Sequence, residues 1–186
     1  MEVCRSTLPA RQHDTAPALL AMNDDPPLRR AHLVALRFLS YRPRTETEVK
    51  SRLRSRFPAP IVEQVLELLK DEALVDDVRF ASEWRAGRES HNPRSGWAIK
   101  RELVAKGVDG LVAEEAVRDV DDEDNAYRAG LKAAGRLEGS DMLTFNRRLW
   151  SHLKRRGFSD SVSRRTITQL WEEMDARSES SMQEEM

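Results

Sequence analysis

Three runs of basic side chains are the residues whose type and spacing could do chemistry in this 186-residue chain. Arg52, Arg54 and Arg56 form the first run. Lys100, Arg101 and Lys106, with Arg94 upstream, form the second. Arg147, Arg148, Lys154, Arg155 and Arg156 form the third. Guanidinium and ammonium groups at this density neutralise phosphates or meet acidic protein surfaces. The competing reading is a solvated face whose cations pair with carboxylates of the same module, each exposed pair contributing little. Trp97 and Trp150 lie beside these runs, either as core or, if exposed, as stacking and interface anchors.

Other chemistries find little support. There is no G-x-x-x-x-G-K-[ST] or G-x-G-x-x-G phosphate cradle and no G-x-S-x-G elbow. His13, His32, His91 and His152 lack ligand spacing, so neither a metal nor a cofactor is expected. The pairs Asp76-Asp77 and Asp121-Asp122 resemble catalytic carboxylates but stand just before helix-like segments. There they serve better as N-caps, their charge on the positive helix end. An enzyme is therefore not expected. Cys4 is the only cysteine, which excludes an internal disulfide and fits a reducing, cytoplasmic setting. No apolar run approaches a membrane span, and Ala16 to Met22 is too short for a secretory core.

The elements that would position the basic runs emerge from charge and periodicity. Residues 29–57 hold nine basic and two acidic side chains, whereas 58–77 hold one and six. Residues 79–106 hold seven and three, 109–124 one and eight, 128–156 eight and two, and 159–186 three and seven. The net charge of −1 thus conceals three basic blocks alternating with acidic ones. Leu53, Leu103 and Leu153 recur at a spacing of fifty, each with an apolar residue four positions earlier on the same helical face. After each comes a turn, with Gly107 and Gly157 suited to a left-handed helix end. Ile61/Val65/Leu69, Val112/Ala116/Val120 and Val162/Thr166/Leu170 then superpose as a following helix.

A first helix precedes each pair. These are expected over Arg29 to Tyr41 with Leu33, Leu36 and Leu39 inward, over Val78 to Glu89 with Phe80, Ala81 and Trp84, and over Glu123 to Leu137 with Tyr127, Leu131 and Ala134. Thr45 and Glu48 form a capping box, Ser95 caps the equivalent helix fifty residues on, and Ser159 precedes the last helix. The expected architecture is all-α: three tandem three-helix modules (29–77, 78–122 and 123–174) in an elongated, curved array. A flexible tail over 1–28 and a polar tail over 175–186 flank it.

These residues resemble the RecX family, bacterial regulators of the RecA recombinase. The likeness rests on Ala35-Leu36-Arg37-Phe38-Leu39-Ser40-Tyr41-Arg42 with Thr45-Glu46-Thr47-Glu48-Val49 and Leu53, and on Leu74-Val75-Asp76-Asp77-Val78-Arg79-Phe80-Ala81. It rests also on Ile99-Lys100-Arg101-Glu102-Leu103-Val104-Ala105-Lys106-Gly107-Val108. It spans about residues 30–173, with the third module least diagnostic. Ala73 stands where the family commonly has glycine, Leu74 where an aromatic is frequent, and Gly96 one position after the usual glycine. The resemblance implies a non-enzymatic protein that lodges in the groove of a RecA–DNA filament and suppresses ATP hydrolysis and strand exchange. The basic second helices are the expected contact surface toward RecA or DNA, and Asp76, Asp77, Arg79 and Phe80 the hinge and packing between modules. A monomer is expected. The alternative is a helical repeat that binds nucleic acid directly.

Overall fold

The structure, a computed structural model, describes residues 25–184 and the side chains of 25–177. The described residues are all-α: nine α-helices, one 3-10 turn and no strand. Most of the predicted tail 1–28, with Cys4 and His13, lies outside the described residues. The chain divides into two compact units, 1–76 and 77–186. The boundary falls between Asp76 and Asp77, one residue before the junction expected between residues 77 and 78.

The first unit holds α1 (Pro26–Leu39), α2 (Glu46–Arg54) and α3 (Ala59–Asp71). Helix α1 begins three residues before the expected Arg29. Asp25 caps it by accepting the Leu28 N–H at 3.1 Å, and Pro26 and Pro27 occupy positions whose N–H would lack a helical partner anyway. This start selects Leu28, Ala31 and Ala35 as the buried stripe, spaced three and four apart. Leu33, expected inward, is instead 56% exposed. Val49 and Leu53 of α2 and Val62, Val65, Leu66 and Leu69 of α3 complete the core.

Thr45 is fully buried at the start of α2. Its hydroxyl accepts the Glu48 N–H at 3.2 Å, while the Glu48 carboxylate accepts the Thr45 N–H at 3.3 Å. Burial pushes the Glu48 carboxyl up. The Arg42 hydrogen bond, the Thr45 N–H and the charges of Arg42 and Arg44 outweigh it and hold the carboxyl below its usual range. Helix α3 closes through Ala73 at φ 53°, a left-handed conformation that costs an L-residue with a Cβ. The position where the resembling family carries glycine is therefore one where glycine relieves strain.

The second unit holds α4 (Asp77–His91), α5 (Gly96–Ala105), α6 (Gly110–Val117), α7 (Asp122–Ala134), a 3-10 turn (Gly135–Leu137), α8 (Met142–Arg155) and α9 (Asp160–Glu184). Phe80, Ala81, Ile99, Leu103, Val108 and Ala113 form one core. Ala126, Ala129, Phe145, Leu149, Leu153, Phe158 and Leu170 anchor a second. Asp77 opens α4 from within its first turn, so the capping position falls to Asp76, one residue earlier than expected. Val120 lies beyond the end of α6, and Leu131 of α7 is 41% exposed because the inner face of that helix is Ala126, Ala129, Gly130 and Ala134. The absence of large side chains there lets α7 approach α9 closely: a Cβ at Gly130 would stand 2.7 Å from Leu170 Cδ1.

Helix α9 runs past the expected boundary at 174 to Glu184. The polar stretch contains neither Gly nor Pro, and Glu173 and Arg177 pair one turn apart at 3.5 Å. Polarity alone does not end a helix when nothing in the sequence breaks it.

Candidate functional site

The structure sorts the predicted basic residues by what each faces. In the first unit Arg54 pairs with Glu63 at 3.5 Å, while Arg52 is exposed and lies 5.9 Å from the Phe38 ring centre. Arg56 is exposed beside Phe57, at the edge of an apolar groove between α1 and α3.

In α5 the cations are largely committed within the fold. Glu102 is the hub. It accepts Trp84 Nε1–H at 2.8 Å and Arg88 Nε–H at 2.7 Å, and it pairs with Arg94 at 3.0 Å. Lys106 lies over the Trp84 ring at 4.1 Å. Lys100 pairs with Glu114 of α6. Arg101 is different: it is exposed and stacks at 4.7 Å on Trp97, itself 58% exposed. Trp97 is thus a surface aromatic, whereas Trp150 is half-buried against the α7–α9 core.

The predicted cap and hinge residues serve the fold. Arg79 is exposed and 3.8 Å from Glu83, and Phe80 is buried with its ring stacked on Trp84 at 6.0 Å. Asp121 caps α7 through the Glu123 and Asp124 N–H groups, and Asp122 accepts the Gly96 N–H at 2.8 Å. Burial, with Asp121 adjacent, raises the Asp122 carboxyl against the lowering effect of that N–H.

Two further hydrogen bonds to backbone carbonyls join α4–α6 to α7–α9. Ser95 N–H donates to the Arg156 carbonyl at 3.2 Å, and Arg128 donates to the Glu89 carbonyl at 2.8 Å. Beside this seam opens a cleft of about 910 Å³. The end of α4 contributes His91, Asn92 and Pro93. Helix α7 contributes Arg128 and Lys132, and the 3-10 turn contributes Arg136. Helix α8 contributes Arg147, Arg148, His152, Arg155 and Arg156. No carboxylate lines it.

Most of these cations lack a neutralising partner. Lys132, Arg136, Arg147, Arg148 and Arg155 form no ion pair among the described residues. Arg128 is held by Asp124 at 2.8 Å. Arg156 donates to Asn92 Oδ1 at 3.3 Å, but its Nε is buried without a partner. Burial first, then Arg94 and Arg155, lowers the Arg156 pKa. Burial likewise pushes the His152 imidazole below its ordinary value, as do Arg156, Arg155 and Arg136, against its 3.0 Å contact with the Ala129 carbonyl. Lys154, on the other side of α8, pairs with Asp160 at 2.7 Å and donates to the Phe158 carbonyl at 2.9 Å.

Four of the predicted residues, Arg147, Arg148, Arg155 and Arg156, therefore come together. Arg128, Lys132 and Arg136 join them from the expected Glu123 to Leu137 segment, whose cations sequence reasoning passed over. Their four-residue spacing was the available signal, since it sets them on one face of the segment. No group of three or more His, Cys, Asp or Glu among the described residues could hold a metal. No helix among them is long and apolar enough to cross a membrane.

Comparison with known proteins gives this arrangement its family. A model of the first three-helix domain of RecX matches residues 31–69, and one of the second three-helix domain matches 76–117. The regulatory protein RecX of Chlorobium limicola is 32% identical over 139 residues, covering 74% of this chain and 87% of its own. That of a Mycobacterium species is 36% identical over 147 residues, with 74% and 80% covered. That of Streptomyces coelicolor is 32% identical over 151 residues, with 79% and 80% covered. The crystal structure of RecX from Lactobacillus salivarius has the same fold, with a TM-score of 0.68 at 24% identity over 77% of this chain and 96% of that one. The chain belongs to the RecX family of regulatory proteins, which are not enzymes.

Proposed function

We propose that this RecX-family chain binds a RecA–DNA filament and chiefly inhibits its ATP hydrolysis and strand exchange, so regulating recombinational DNA repair. The observation that carries the reading is family membership over most of the chain, at 32% to 36% identity to regulatory RecX proteins. The described surface supports it. Basic side chains outnumber their ion partners on α2, α5 and α8, and a filament offers repeating phosphate and carboxylate groups. In this reading the chain acts as three tandem three-helix modules, and several weak contacts to neighbouring subunits add through avidity. Arg52, Arg56, Arg101, Arg147, Arg148 and Arg155 are the contact residues, because each is exposed and has no ion pair among the described residues.

The test is single-stranded-DNA-dependent ATP hydrolysis by the cognate RecA, titrated with this protein. Inhibition is expected, and Arg52→Glu with Arg101→Glu is expected to weaken it while leaving helicity intact. Inhibition well below one protein per recombinase indicates end capping or disassembly, and inhibition near equimolar levels indicates groove occupancy. No effect on hydrolysis at any ratio overturns the proposal. The acid-free cleft favours one second reading, a helical repeat acting on nucleic acid alone. Steep salt dependence on bare DNA without any recombinase effect would select it.

A further inference from the structure

Helix α1 carries more apolar surface than the core of the first unit uses. Leu28, Ala31 and Ala35 are its buried stripe. Arg30, Leu33 and Val34, three and four positions apart, form the adjoining face, and Leu33 is 56% exposed. That face is one wall of the groove between α1 and α3, an opening of about 780 Å³ whose other wall is Phe57, Pro58 and Ile61. Arg30 and Arg56 also line it, and neither forms an ion pair among the described residues. Exposed apolar side chains framed by unpaired cations suit an occupant that is apolar and bounded by acids.

The chain carries such a segment at the mouth of this groove. Ala16 to Met22 is an apolar run with Leu19, Leu20 and Met22, bounded by Asp14 and Asp24. It ends three residues before Asp25, and Asp25 and Pro27 line the groove. Asn23, Asp24 and Asp25, followed by Pro26, are the residue types that reverse chain direction. From Asp25 to Val34 the groove follows α1 for about 14 Å at the helical rise. About four residues of extended chain cover that distance, fewer than the run contains. A tether this short also sets an effective concentration on the order of millimolar, against which a separate partner must compete.

We propose that residues 16–22 dock in the α1–α3 groove of their own chain, with Leu19 and Leu20 against its apolar walls, and thereby cover Arg56. The docking rests on the groove and the tether. Its consequence rests on the filament reading, in which Arg56 is a contact residue: the docked segment is then a brake on inhibition, released when the segment leaves.

The experiment is disulfide trapping in the full chain. In a Cys4→Ser background, Ala21→Cys with Leu33→Cys is oxidised by glutathione disulfide, and the cross-link is followed on non-reducing gels. Leu19→Gln with Leu20→Gln in the same chain keeps the tether and the charge but removes the apolar contact, and it leaves the described core untouched. It is expected to slow cross-linking by about tenfold or more. Leu19→Met with Leu20→Met, which keeps the apolar volume, is expected to restore the rate. An equal rate with and without the leucines would show proximity by tether alone and overturn the docking. A cross-link found mainly between two copies would overturn it in favour of a second chain. In the otherwise unaltered protein, Leu19→Gln with Leu20→Gln is expected to inhibit recombinase ATP hydrolysis at about threefold lower concentration, as for a segment that covers the groove about two thirds of the time. Equal potency would overturn the brake. If the unaltered protein leaves hydrolysis untouched, the filament reading falls and the cross-linking rates alone decide the docking.

Discussion

Replacing Gly157 with alanine should destabilise residues 77–186 far more than the same change at Gly139. Both glycines have positive φ, 88° and 76°, so both substitutions carry the left-handed penalty of roughly 1–2 kcal/mol. Their surroundings differ. A Cβ at Gly139 meets nothing within 4 Å. A Cβ at Gly157 would stand 2.7 Å from both Ala98 Cβ and Ser95 Oγ and 3.2 Å from Trp97 Cε3. None of the nearest groups can yield cheaply. Ala98 has no rotamer to change, and the buried Ser95 hydroxyl is held as the cap of α5, accepting the Ala98 N–H at 3.1 Å. Overpacking of this kind costs about 1–3 kcal/mol. A total near 3 kcal/mol lowers the midpoint by roughly 6–12 °C in a chain of this size, against roughly 2–8 °C for Gly139→Ala. The assay is thermal unfolding followed by tryptophan fluorescence, because Trp84, Trp97, Trp150 and Trp171 all lie in the second unit. Equal shifts for the two variants would refute the close approach of α8's end to the first turn of α5, and with it the seam beside the cleft.

Ala73→Gly should stabilise the first unit. Relief of left-handed strain, about 1–2 kcal/mol, exceeds the added chain entropy of about 0.5–1 kcal/mol. The unit contains no tryptophan, so circular dichroism is the readout, and a lowered midpoint would contradict the geometry. Acidification should lower the thermal midpoint through His152, and His152→Asn should shrink that loss. The folded pKa of His152 lies below its unfolded value, so the unfolded chain binds more protons on acidification, and stability falls as pH drops through the usual histidine range.

Features set by neighbours in sequence were legible before the structure. Thr45 and Ser95 cap their helices as their types and spacing require. Gly107 and Gly157 take positive φ at 86° and 88°. What could not be read was which carboxylate each cation would meet. Arg94 and Glu102 are eight residues apart, Lys100 and Glu114 fourteen, and Arg165 and Glu123 forty-two. Such distances depend on helix packing, which a charge count per block averages away. Leu33 and Leu131 were misplaced for a related reason. Both lie within apolar stretches, but the helix phase follows Ala31 and Ala35 in one case and Ala126 and Ala129 in the other. Small residues mark the buried face where helices approach closely, and hydropathy alone underweights them.

The repeat itself explains why the basic cleft arises in the third module and not in the others. Lys50 and Glu63 pair at 2.8 Å between α2 and α3. Lys100 and Glu114 pair between α5 and α6 at the equivalent positions, one residue further apart because Gly107 is inserted. In the third module the same two positions are Trp150 and Arg164, whose guanidinium lies 5.9 Å from the ring centre. The cross-helix ion pair has become a cation–aromatic contact, which joins the helices without supplying a negative charge. Position 152 also lacks the carboxylate of Glu102, as does Arg52 at the same place in the first module. Two carboxylates that keep the second module internally neutral are thus absent from the third, while the arginines of α8 remain. Packing alone does not account for that exchange, since an ion pair and a ring contact both hold adjacent helices. The exchange at position 152 is the one that reaches the cleft, because His152 lines it and Trp150 and Arg164 do not.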